Sequence, residues 1–140
     1  MQTAYIGIGS NLGNKENNLR QAALRLSKLD GTELRRASSL YYTEPVGGIP
    51  QAWYFNVVQE VGTSLGPEEL LDGLLKIEAE MGRKRSGLCD APRIIDLDIL
   101  IFGDCVIDTD SLTVPHPHLP VRRFVLEPLA EIAKELVCPG

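Results

Sequence analysis

Asp96 and Asp98 are two carboxylates inside the run Pro92-Arg93-Ile94-Ile95-Asp96-Leu97-Asp98-Ile99-Leu100-Ile101-Phe102, whose other members after Arg93 are all apolar. Such a run reads as a strand, and alternation along a strand turns both acids to one face. Two like charges there repel each other and resist leaving water, and a divalent cation between them relieves both costs. Paired carboxylates with few further ligands suit Mg²⁺, which keeps waters and takes the rest of its shell from substrate phosphates. Arg93, three residues before Asp96, would offer a planar guanidinium to a phosphate oxygen. The competing reading is an edge strand whose charges face solvent and discourage pairing with another chain.

Further cations flank the pair. Glu78, Arg83 and Arg85 mark the end of a helical stretch and the segment after it. With Arg93 the arginines make either a solvated charge patch or a clamp for a triphosphate, and the neighbouring acids favour the clamp. Upstream, Tyr54 and Asn56 share a strand face, an aromatic wall beside an amide that both donates and accepts. That pairing suits a planar heterocycle with amide-like edges, while ordinary sheet packing explains the two residues equally well. The preceding segment Thr43-Glu44-Pro45-Val46-Gly47-Gly48-Ile49-Pro50 is more elaborate than a hairpin connection needs and reads as part of a recognition surface. His116 and His118 flank Pro117 on a stiffened loop, where they are metal ligands, phosphate partners or plain surface residues. Gly7-Ile8-Gly9-Ser10-Asn11-Leu12-Gly13 fits neither the dinucleotide fingerprint nor the P-loop, so we read a tight turn and place no nucleotide there.

The elements that must position these groups follow from periodicity. Ala4 to Gly9 reads as a first strand, and a helix from Lys15 carries Leu19, Ala22, Ala23, Leu26 and Leu29 at spacings of three and four before Asp30-Gly31 stops it. Thr32 to Tyr42 leans towards strand. Trp53 to Val61 alternates as a third strand, with Phe55, Val57 and Val61 on one face and Tyr54, Asn56, Val58 and Glu60 on the other. Pro67-Glu68-Glu69 opens a second helix, with Leu70, Leu71, Leu74, Leu75 and Ile77 following and Gly82 ending it ahead of the Asp96 strand. Strand, helix, strand, strand, helix, strand is the order of an α+β, ferredoxin-like βαββαβ core with both helices on one face. A brief strand at Val106-Ile107 and an amphipathic helical tail from Val121 to Leu136 complete the expected chain.

At 140 residues the chain reads as one domain, 1–140. A net charge of −5 without a basic stripe argues against a general nucleic-acid binder, and the local clusters at Arg83-Lys84-Arg85 and Arg122-Arg123 suit a small polyanion instead. Cys89, Cys105 and Cys138 follow no metal-ligand spacing, and the N-terminus enters a strand pattern at once. We expect a cytoplasmic monomer with no membrane partner.

Several segments together resemble the 6-hydroxymethyl-7,8-dihydropterin pyrophosphokinases of folate biosynthesis. They run in order: Ile8-Gly9-Ser10-Asn11-Leu12-Gly13, Tyr42-Thr43-Glu44-Pro45-Val46-Gly47, Tyr54-Phe55-Asn56, Gly82-Arg83-Lys84-Arg85, Ala91-Pro92-Arg93-Ile94-Ile95-Asp96-Leu97-Asp98, Leu112-Thr113-Val114-Pro115-His116 and Arg122-Arg123-Phe124. The resemblance implies ATP as co-substrate and two Mg²⁺ ions on Asp96 and Asp98. It implies that Arg83 and Arg93 hold phosphates and act in catalysis, and that Glu78, Arg85, Ile99, Thr113, His116 and Arg122 line the ATP site. It places the pterin between Tyr54 and Phe124, with Thr43, Asn56 and the backbone near Pro45 and Val46 reading its edges. The chain departs from that pattern at Cys89-Asp90, where relatives usually carry a basic residue and often a tryptophan, and at Pro117. Two other expectations compete: a Mg²⁺-dependent kinase or phosphohydrolase that makes ADP or phosphate, and a small-molecule sensor without chemistry.

Overall fold

The central strand is β1 (Gln2–Ser10), whose alternate residues Ala4, Ile6 and Ile8 are buried towards the helices. The computed structural model describes residues 1–10, 13–43, 54–82, 95–103, 106–109 and 112–114, with backbone alone at 42, 43, 54, 108 and 113. Asn14 caps α1 (Lys15–Ser27) by accepting the Asn17 N–H at 3.1 Å, and Glu16 and Arg25 complement the two ends of the helix dipole. Leu19, Ala22 and Leu26 form its buried stripe, as the spacing predicts. Gly31, at φ +66°, then reverses the chain against Ser64.

The β-leaning stretch after Gly31 is two strands where one was expected. β2 (Thr32–Ala37) and β3 (Tyr41–Thr43) both pair antiparallel with β4 (Tyr54–Thr63), β2 with its end and β3 with its beginning. The break has a local cause. Ser38 donates its N–H to the Val58 carbonyl while its Oγ accepts the Val58 N–H, both at 2.9 Å, so a side chain replaces one rung of the ladder. Before it, the bulge between Leu34 and Ala37 is filled by the buried Gln59 amide, which donates to the Arg35 and Arg36 carbonyls at 3.2 and 3.1 Å.

Helix α2 (Pro67–Glu80) starts on proline, with the Gly66 N–H donating to Glu69 Oε1 at 3.1 Å, and ends before Gly82 at φ +86°. Its buried residues are Leu70, Leu74, Ile77 and the acidic Glu78. β5 (Asp96–Phe102) pairs antiparallel with β1, completing the order β2-β4-β1-β5 with β3 also on β4. This is the expected ferredoxin-like arrangement, with α1 and α2 packed on one face over a core that includes Ile6, Leu26, Val61, Leu74, Leu97 and Ile99. The brief strand falls one residue later than read, at β6 (Ile107–Asp108), and pairs with β7 (Thr113–Val114), which periodicity did not separate from its loop. The expected helical tail lies outside the described residues. Among the described residues no helix is long and apolar enough to cross a membrane.

Candidate active site

On the sheet face away from the helices, β1 presents Tyr5, Gly7 and Gly9. The register sets Gly9 between Asn56 of β4 and Asp96 of β5, and Gly7 between Val58 and Asp98. Asn56, Asp96 and Asp98 therefore share one face, and the β1 residues between them carry no side chain. Two strand spacings separate Asn56 from Asp96, about 10 Å. Leu100 continues the Asp98 row, and a Cβ added at Gly7 would lie 3.4 Å from its Cδ2.

Asp96 and Asp98 are half-buried, whereas Leu97 and Ile99 between and beyond them are 4% and 3% exposed in the helix-side core. β5 is the last strand of the sheet as described, and its acids lie on the same sheet face as Asn56, across β1 from it. Among the described residues no group of three metal-binding side chains occurs. Two same-face, half-buried carboxylates fit Mg²⁺ of the kind completed by phosphates and water.

The other sequence-predicted residues divide by position. Ile99 turns its side chain into the core, so what it can offer a ligand is backbone on β5. Glu78 sits beneath the strand, on the helix side, 4% exposed, and its Oε2 accepts the Leu97 N–H at 2.8 Å. Thr43 pairs with Tyr54 at the start of β4, two residues along from the Tyr41↔Asn56 pair. Thr113 lies in β7. Arg83, Arg85, Arg93, Pro45, Val46, His116, His118, Arg122 and Phe124 lie outside the described residues, as do Cys89, Asp90 and Pro117.

A polar cluster that the sequence reading did not anticipate occupies the same face further along β1. The Tyr5 hydroxyl donates to Glu60 Oε2 at 2.8 Å, and Arg36 donates through Nε and Nη2 to the two Glu60 oxygens at 3.3 and 3.2 Å. Burial pushes the Glu60 carboxyl up, but the hydrogen bonds from Arg36 and Tyr5 outweigh it and hold the group below its ordinary value. Burial, then the hydrogen bond to Glu60 and its charge, push the Tyr5 phenol up to about 12. The cross-strand pairing Tyr5↔Glu60 was available only once the register was known.

The fold defines a small α+β domain whose antiparallel sheet carries an amide, Asn56, and two acids, Asp96 and Asp98, on the face away from the helices. A family model described as 7,8-dihydro-6-hydroxymethylpterin-pyrophosphokinase (HPPK) matches residues 5–134, and the chain belongs to that family. It is 46% identical over 133 residues to the 2-amino-4-hydroxy-6-hydroxymethyldihydropteridine pyrophosphokinase of Bacillus subtilis, covering 95% of this chain and 79% of the relative. With the Haemophilus influenzae protein of the same name it shares 43% over 140 residues, covering 100% and 87%. The folate synthesis bifunctional protein of Arabidopsis thaliana is 46% identical over 131 residues, covering 94% of this chain and 27% of that one. Among solved structures, an HPPK-DHPS in complex with substrates superposes with TM-score 0.72 at 15% identity, covering 98% of this chain and 41% of that one, a likeness of fold. The chain thus spans about two fifths of that solved structure's length.

Proposed function

We propose that this chain transfers the diphosphoryl group of ATP to the hydroxymethyl group of 6-hydroxymethyl-7,8-dihydropterin, giving AMP and the pterin diphosphate, a step of folate biosynthesis. Family membership supports the reaction, and the observation that carries it to this fold is the row Asn56, Gly9, Asp96. Asn56 reads the heterocycle's polar edge, with Thr43 and the backbone near Pro45 and Val46, while Tyr54 and Phe124 stack on its faces. Asp96 and Asp98 would hold Mg²⁺, which when bound supplies neutralisation of the triphosphate charge. Arg83 and Arg93 hold phosphate oxygens in fixed directions, and Arg85, His116, Arg122, Thr113 and the Ile99 backbone border the nucleotide.

The sheet contributes orientation. The pterin hydroxyl attacks the β-phosphorus, the bond from that phosphorus to the oxygen bridging the α-phosphate breaks, AMP leaves, and the hydroxyl proton passes to solvent. Little covalent chemistry falls to the protein, so positioning carries the acceleration. We further propose a single catalytic domain acting as a cytoplasmic monomer; the unpatterned cysteines and the acidic net charge support that reading.

The test is incubation with ATP, MgCl₂ and 6-hydroxymethyl-7,8-dihydropterin, followed by timed quenching and nucleotide separation. AMP rising in step with diphosphorylated pterin is expected. ADP would assign an ordinary kinase or hydrolase, and unchanged ATP would assign a binding module.

A further inference from the structure

We propose that Glu78 is a positioning residue for the acidic pair: by accepting the backbone N–H of Leu97, which lies between Asp96 and Asp98, its buried carboxylate pins the strand that presents both acids. The inference rests on the function proposed above for what the pair does, and on geometry alone for the pin. β5 has β1 on one side only in the sheet as described. On its other side a buried N–H has no ladder partner, and leaving such a donor unsatisfied is costly. Leu97 is 4% exposed, and Glu78 Oε2 stands 2.8 Å from its nitrogen.

The carboxylate arises from the buried stripe of α2, in company with Leu70, Leu74 and Ile77. A leucine at 78 would fill that stripe and spare the cost of burying a charge, but it would leave the Leu97 N–H without this acceptor. Two acids on one face repel until a cation joins them, and a strand paired on one side is the element that yields. Fixing the peptide between residues 96 and 97 fixes the direction in which both carboxylates leave the backbone, as the supports of a metal site do.

Two measurements test this. Amide hydrogen exchange on the unliganded wild-type chain should find the Leu97 N–H strongly protected, with protection kept in Glu78→Gln, which retains an acceptor oxygen, and lost in Glu78→Leu. Mg²⁺ titration of the binding of a non-hydrolysable ATP analogue should show Glu78→Leu needing about tenfold more Mg²⁺ or beyond, with Glu78→Gln restoring most of the wild-type response and pterin affinity unmoved. Rapid exchange of Leu97 in the wild type would overturn the pin, as would an unchanged Mg²⁺ requirement in Glu78→Leu. A glutamine variant as impaired as the leucine one would also overturn it, assigning the residue's charge to the nucleotide instead. If Glu78→Leu does not fold, the wild-type exchange still decides, and a Glu78→Gln protein that needs about tenfold more Mg²⁺ than the wild type would overturn the pin. A wild-type chain that makes no AMP would fail the proposed reaction, while protection at Leu97 would still support the pin and its loss would still overturn it.

Discussion

Asn56 and Asp96 stand in one row of the sheet with only Gly9 between them. Strand spacing therefore sets their separation at about 10 Å, and the floor between the amide and the acid is backbone. A ligand read at one end and reacted at the other can lie flat on that floor.

A side chain at position 9 would stand in the middle of the row. Gly9→Val should lower kcat/KM for the pterin by about tenfold or more, since small misplacements of reacting groups cost that much and beyond. Circular dichroism should show the fold retained. Unaltered steady-state kinetics in a folded Gly9→Val protein would remove the row from the site.

Under the proposed function, loss of either acid acts on charge stabilisation. Asp96→Ala or Asp98→Ala should each cut turnover by at least about a hundredfold with little change in thermal melting, because both side chains are half-buried on the sheet face away from the helices and outside the core. Single-turnover quench experiments at saturating ATP and MgCl₂ would measure this. A double variant turning over at near the normal rate would end the metal assignment.

The Tyr5, Glu60 and Arg36 cluster makes stability depend on pH at both extremes. An unfolded glutamate takes up its proton near about 4.3, whereas folded Glu60 stays charged to lower pH. Its contribution is thus complete above that value and is lost as pH falls through the folded one. Tyr5 has the opposite sign: with the folded phenol at about 12, its contribution is whole below the unfolded value of about 10 and drains between the two as the unfolded chain ionises first. Melting temperature against pH should show Glu60→Gln flattening the acid limb and Tyr5→Phe the alkaline one.

Arg83 is assigned to phosphate by family resemblance. Arg83→Ala should lower turnover more than it weakens ATP binding, because charge developing on the transferred group is what a guanidinium meets most strongly. Equilibrium binding of a non-hydrolysable analogue alongside kcat separates the two. A raised Michaelis constant with unchanged turnover would place Arg83 in ground-state binding alone.

Much of the fold is legible in the residues themselves. Alternation puts Phe55, Val57 and Val61 on one side of β4 and Asn56 and Glu60 on the other, and the same rule joins Asp96 to Asp98. What alternation within a strand cannot supply is which residues face each other across strands, and for that reason the Tyr5 and Glu60 pair and the Gly9 row emerge only with the register. Ser38 gives no warning either, because a side chain substituting for a carbonyl in a ladder looks like any polar residue in a β-leaning stretch. Glu78 does leave a signal: it falls four residues after Leu74 and eight after Leu70, on the apolar stripe, where an acid needs a partner. The family resemblance singles out the residue, and the fold supplies its neighbour.

Because β1 lies between β4 and β5, the strand made first in synthesis waits longest for its neighbours. Residues 54–63 and then 96–102 must emerge before both its sides are occupied, an interval on the order of seconds at ordinary translation speed. Until then the unpaired backbone edges of β1 are open to other nascent chains, so slower, cooler expression should favour soluble yield. The row Asn56, Gly9, Asp96 cannot form in a fragment that ends before β5, so completing the sheet also completes the row.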